Sequence, residues 1–153
     1  MIRSILLVCS GNTCRSPLAA AMLRAALAER PAPGEVRVGS AGTGAWDGAP
    51  ASEGSYLVAL ERGLDLSTHR ARMLTTQLVR EADLILTMTT AHSHRVIDMG
   101  GAGKTHTLAA WAGEDGGDIP DPFGGHVERY RAVADQMAPL IAAVVDRLRE
   151  PPR

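Results

Sequence analysis

The chain has 153 residues, 45% of them hydrophobic, with 16 Lys+Arg against 17 Asp+Glu and a formal net charge of -1. That length fits one compact domain, and the apolar content is enough for one core. Near-neutrality excludes a general attraction to nucleic acid or to a membrane surface, so any anion must be caught locally. The first predicted element is a strand over Ile2–Val8, apolar and partly β-branched, interrupted only by Arg3 and Ser4, which reads as buried on both faces. Its apolar run is far shorter than a signal-peptide core or a membrane span, so a cytoplasmic location is expected. A tight loop follows, Cys9-Ser10-Gly11-Asn12-Thr13-Cys14-Arg15-Ser16. Pro17 then opens an alanine-rich helix, with Ser16 as the expected N-cap, Leu18, Met22, Ala25 and Ala26 as its apolar stripe, and Pro31 as its end.

Val36 and Val38 suggest a second short strand, followed by a Gly-rich loop from Gly39 to Gly48 and a helix from about Ser52 to Arg62, stopped at Gly63. Gln77–Glu81 reads as a short helix, Asp83–Met88 as a strand, and Thr90–Met99 as a helix ended by Gly100 and Gly101. A fourth strand is expected near Thr105–Leu108. Trp111–Gly125 is rich in Gly, Pro and Asp and reads as a long functional loop. The last element is helical, with Val127, Tyr130, Val133, Ala134, Met137, Leu140, Ile141, Val144, Val145 and Leu148 at helical spacing and a kink expected at Pro139. The alternation implies an α/β fold: a single-domain, doubly wound, four-stranded parallel sheet flanked by helices, spanning residues 1–150 with a short tail at 151–153. In such sheets ligands bind at the carboxyl ends of the strands, which is where Cys9 falls.

Placed between a buried strand and a helix N-terminus, Cys-x5-Arg-Ser has a definite chemistry. Successive backbone N–H groups can turn inward as a nest, the positive helix end adds to the field, and a phosphate-sized oxyanion would sit on Ser10, Gly11, Asn12, Thr13, Cys14, Arg15 and Ser16. Arg15 matches two of its oxygens with a planar fork that lysine cannot copy. The same field favours a sulfur anion at Cys9, the candidate nucleophile, and Ser16 can donate a hydrogen bond to that sulfur when it leaves. With only two cysteines in the chain, Cys9 and Cys14, reactivity is a better account than a secreted disulfide framework. Attack in line needs a proton donor on the leaving-group side. Asp121, in Ile119-Pro120-Asp121-Pro122-Phe123-Gly124-Gly125, is the candidate, since two prolines stiffen the loop that would hold it over the crevice. No metal or other cofactor is called for, because Arg15 and the amides cover the oxygens where charge accumulates.

Over its full length the chain resembles the low-molecular-weight protein tyrosine phosphatases. Cys9–Pro17 is similar to that family's active-site signature, Ser40-Ala41-Gly42-Thr43 to its next loop, and Asp121-Pro122 to its acid motif. The resemblance implies phosphorylated proteins as partners, a thiophosphate intermediate, and a hydrogen-bond network of Asn12, Ser16, Ser40 and His69 that fixes the loop. Asparagine suits this role because it tolerates the left-handed backbone of a nest. Thr13 stands where tyrosine-directed members usually carry isoleucine, and Phe123-Gly124 where they often carry two aromatics. Both features resemble the branch that acts on phosphoarginine, where a smaller, hydroxyl-bearing residue tolerates a guanidinium. Trp46 points the other way, as in tyrosine-directed bacterial members. Thr13, Trp46 and Phe123 are therefore the candidate selectivity residues; phosphoarginine is favoured, phosphotyrosine is the alternative, and arsenate reduction is a distant one that lacks the further cysteines it needs.

Other features invite plainer readings. Cys14 either packs beneath the loop or also pairs reversibly with Cys9 as an oxidation safeguard. His92 and His94, at i and i+2 of a helix, point apart and read as solvated residues rather than a metal pair. Gly100-Gly101-Ala102-Gly103-Lys104-Thr105 is not a nucleotide loop, since Asp98 holds the place of the first glycine and a helix precedes it. A monomer is expected.

Overall fold

The computed structural model describes residues 1–114 and 117–150, so the 151–153 tail and two positions of the long loop lie outside the described residues. Its elements are β1 (Ser4–Cys9), α1 (Arg15–Glu29), β2 (Arg37–Gly42), α2 (Glu53–Glu61), α3 (Thr76–Glu81), β3 (Leu84–Thr87), α4 (Thr90–Val96) running into a π-helical turn (Ile97–Gly101), β4 (Thr105–Thr107), α5 (Leu108–Trp111) and α6 (Val127–Arg149). The four strands form one sheet in the order β2-β1-β3-β4, and every pairing is parallel. This is the doubly wound architecture expected from the alternation of elements.

Both faces of the sheet are covered, which explains why β1 reads as an unbroken apolar run. Ile5 and Leu7 pack with Leu84 and Leu86 against α1, α2 and α6, while Leu6, Val8 and Ile85 pack against Leu74, Val79 and Val96 on the other side. Burying each such side chain is worth roughly 1.5–3 kcal/mol. The chain leaves β1 to one side for β2 and returns to the other side for β3, so the carboxyl end of β1 is the topological switch point of the sheet. Cys9, the last residue of β1, stands there.

Three local expectations are corrected. Helix α1 begins at Arg15 rather than Pro17, and Ser16 lies inside its first turn rather than capping it; its hydroxyl is engaged with Cys9 instead. Trp111 is not in a loop: a Thr107 cap starts the short helix α5, and Trp111 at its end is buried beneath Arg147, whose guanidinium sits 4.2 Å from the ring centre. His92 is buried rather than solvated, whereas His94 on the next face is exposed. Helix α6 stays helical on both sides of Pro139. Lys104 has a structural task, donating to the carbonyls of Arg80 and Ala82 at 3.2 and 2.7 Å.

Candidate active site

The turn from β1 into α1 is shaped by its backbone. Asn12 is the one non-glycine at positive φ among the described residues, at 55°, a conformation asparagine adopts more readily than other side-chain-bearing residues. Gly42, at the end of β2, is pressed against this turn: a Cβ there would lie 2.4 Å from the Ser10 carbonyl oxygen and 2.9 Å from the Asn12 nitrogen. The backbone N–H groups of Thr43 and Gly44 donate to the carbonyls of Cys9 and Ser10, both at 2.9 Å, which ties the start of the loop to the chain beyond β2.

Asn12 is fully buried and every polar atom of its side chain is used. Its Nδ2 donates to Ser16 Oγ at 2.8 Å and to Ser40 Oγ at 2.9 Å, and its Oδ1 accepts from the Arg72 N–H at 3.0 Å. Ser16 Oγ thus accepts from Asn12, which leaves its own proton for Cys9 Sγ, 2.9 Å away. His69 Nε2 lies 2.7 Å from the Asn12 carbonyl oxygen, so that nitrogen carries a proton and donates. Burial pushes the His69 pKa down, the Asn12 hydrogen bond opposes this, and Arg24, Arg70 and Arg72 push the same way as burial. The four residues of the expected support network, Asn12, Ser16, Ser40 and His69, are therefore in contact as one set around the loop. Arg72 belongs with them, since its Nε also donates to the Ser40 carbonyl at 2.9 Å. Nothing in the sequence singles it out, because its partners come from distant segments.

Arg15 is buried at 3% exposure. Its NH1 donates to the Ile119 carbonyl at 2.9 Å, its NH2 approaches Ser10 Oγ at 3.5 Å and Asp121 Oδ2 at 3.7 Å, and its Nε has no hydrogen-bond partner among the described residues. The loop bearing Asp121 is anchored just before it. Asp118 Oδ1 accepts from the Thr90 N–H at 2.9 Å, and the Ile119 N–H donates to the Met88 carbonyl at 2.8 Å. Asp121 itself caps the turn that follows, accepting from the Phe123 N–H at 3.0 Å, with its side chain half exposed. Cys9 and Arg15, on one strand-loop-helix segment, are thus joined by Asp121 from a second, distant stretch of chain.

Cys14 lies under the loop. Both cysteines are unbridged and buried, and the Cys14 thiol donates to Ser52 Oγ at 3.2 Å with Tyr130 Oη 3.7 Å away. Gly54 lets the Tyr130 ring come this close, since a Cβ there would fall 2.4 Å from it. The selectivity candidates form the proposed rim of the site. Thr13 is half-buried, while Trp46 and Phe123 are 85% and 71% exposed.

Sequence reasoning missed His92. It sits in the first turn of α4 with Thr89 as cap, and its Nε2 lies 2.9 Å from Ser10 Oγ in the loop after β1. Burial, with the Arg15 charge second, lowers its pKa to about 4, against weaker opposing pulls from Asp118 and Asp121. The available signal was the cap itself: Thr89-x-x-His92 has the spacing of a capping box, with histidine in place of Glu or Gln.

Comparison with known proteins agrees with this geometry. Residues 4–151 match the family described as low molecular weight phosphotyrosine protein phosphatase. The chain belongs to that family, and is a phosphatase by membership. It is 39% identical over 146 residues to a protein-arginine-phosphatase of Geobacillus stearothermophilus, covering 94% of this chain and 95% of that one. It is also 39% identical over 149 residues to the probable low molecular weight protein-tyrosine-phosphatase EpsP of Ralstonia nicotianae, covering 97% and 98%. Among solved structures, a YwlE mutant from Bacillus subtilis superposes with a TM-score of 0.91 at 30% identity, covering 97% of this chain and 99% of that one. Overall identity does not separate arginine-directed from tyrosine-directed relatives.

Proposed function

We propose that this chain removes phosphate from phosphoarginine on proteins, through a phosphocysteine at Cys9. The observation that carries the phosphate site is the buried Arg15: its head is held in place by Ile119, yet its Nε–H has no partner among the described residues. A buried donor left unpaired costs roughly 1–3 kcal/mol, and an oxyanion in the loop would accept from it. In the first step Cys9 sulfur forms the S–P bond as the P–N bond to the guanidinium breaks, and Asp121 gives its proton to the departing nitrogen. In the second, Asp121 takes a proton from water as water oxygen attacks phosphorus. The S–P bond breaks, inorganic phosphate leaves, and Ser16 stabilises the released sulfur anion. Arg15 and the loop amides supply the positive charge that equatorial oxygens need, so no metal is required.

Support for arginine comes from Thr13 on the rim. Its hydroxyl offers a polar surface to a guanidinium, where isoleucine would offer an apolar wall suited to a phenol ring. Asp121, half exposed and beside the loop, adds a carboxylate that pairs with the cationic leaving group. The exposed Trp46 favours the second reading, an aromatic substrate, as does the naming of EpsP. Phosphate release from phosphoarginine and phosphotyrosine, measured side by side, decides between them. Cys9→Ser is expected to abolish both, by roughly four orders of magnitude or more. Thr13→Ile should move the ratio toward phosphotyrosine by about tenfold. A wild-type preference for the tyrosine ester would end the arginine reading while leaving the phosphatase intact.

A further inference from the structure

We infer that His92 is a positioning residue that holds the Ser10 hydroxyl as an additional hydrogen-bond donor into the phosphate loop. This rests on the reading of Cys9–Arg15 as an oxyanion cradle. The tautomer of His92 follows from its neighbours. The Thr89 backbone N–H can only donate, and it lies 3.2 Å from Nδ1, so Nδ1 presents a lone pair. Thr89 Oγ1 accepts from the His92 N–H at 3.2 Å and sits 3.0 Å from the same Nδ1, which leaves its hydroxyl proton directed there too. A neutral imidazole with a bare Nδ1 carries its proton on Nε2. Nε2 therefore donates to Ser10 Oγ across 2.9 Å.

Arg15 NH2, also a pure donor, approaches that same oxygen at 3.5 Å. Both lone pairs of the Ser10 hydroxyl thus face donors, and its own proton is released to an acceptor. An oxyanion held by Arg15 is within reach of it. Burial of the ring keeps His92 neutral through neutral pH, with Arg15, Asp118 and Asp121 the charged groups that face it. The sequence places Ser10 in the motif but leaves its hydroxyl undirected; the capped start of α4 supplies the direction. Histidine acts here by fixing a rotor, with no proton exchanged in the reaction.

The test is a double-mutant cycle on the full chain, with phosphate release and competitive inhibition by inorganic phosphate as readouts. Ser10→Ala and His92→Ala are each expected to lower kcat/KM about tenfold, the scale of one hydrogen bond to a charged group, and to weaken phosphate inhibition in proportion. The double variant should be no worse than Ser10→Ala alone. His92→Gln, whose amide N–H reaches nearly as far as Nε2, should recover most of the loss. Multiplying losses in the double variant, or unchanged phosphate inhibition in Ser10→Ala, would overturn the inference. If His92→Ala does not fold, Ser10→Ala and His92→Gln still form the comparison, and nitrogen NMR of the wild-type ring decides the tautomer directly. A proton on Nδ1 overturns the inference. An inactive wild type would instead sink the phosphatase reading, while the tautomer measurement would still judge His92.

Discussion

The loop from Cys9 to Ser16 and its proposed rim are built on opposite terms. In the loop, Asn12, Arg15 and Ser16 are buried, and Asn12 is locked by hydrogen bonds to Ser16 and to residues as distant as Ser40 and Arg72. On the rim, Trp46 and Phe123 stand in water, and Asp121 is half exposed. A preorganised cradle needs little rearrangement when charge develops, which is where electrostatic catalysis gains most. An exposed rim is cheap to vary, so it suits the choice of leaving group.

The comparison breaks most visibly at Asp121, the one proposed catalytic group on the rim. Asp121→Asn is expected to lower kcat/KM, which reports the leaving-group step and not the later hydrolysis of phosphocysteine, by roughly 10²–10⁴-fold, the usual range for a general acid, and by much less on 4-nitrophenyl phosphate, whose leaving group needs no proton. An equal loss on both substrates would move Asp121 from proton transfer to simple positioning. Within the cradle, Asn12→Ala removes three hydrogen bonds and puts a poorly suited residue at φ 55°. It should destabilise the protein by about 2–4 kcal/mol, read from urea unfolding, and reduce activity as well. A small stability loss would mean that the network is less rigid than its geometry.

A milder effect is expected from pH. Burial lowers His69, and lowers His92 from 6.5 to about 4, so between those values the unfolded chain binds protons that the folded chain excludes. Stability then falls as pH drops from about 6.5 toward 4 and stops changing on this account below that. His92→Gln should flatten the slope in urea titrations across this window; an unaltered slope would assign it to other groups. The smallest effects belong to the rim. Trp46→Ala and Phe123→Ala should leave stability within about 0.5 kcal/mol while raising KM for phosphorylated protein, a split that steady-state kinetics measures.

Much of this was legible before folding. Cys9, Arg15 and Ser16 lie within one turn of chain, so local geometry alone brings them together, and the double-sided burial of β1 is written in its unbroken apolar run. The parallel sheet followed from alternating periodicities. Errors fell where a residue's role depends on a partner far away in sequence. His92 reads as a solvated helix residue until Ser10 meets it from 82 positions upstream.

Sequence by itself determined the chemistry available, because a nest, a thiol and a guanidinium at fixed spacing can be built by a strand, a turn and a helix with short-range contacts only. Tertiary structure decided which side chains hold that nest still. Ser40 arrives on β2, His69 and Arg72 on the segment between α2 and α3, and His92 on α4, and hydrogen-bond direction exists only once both partners have a position in space.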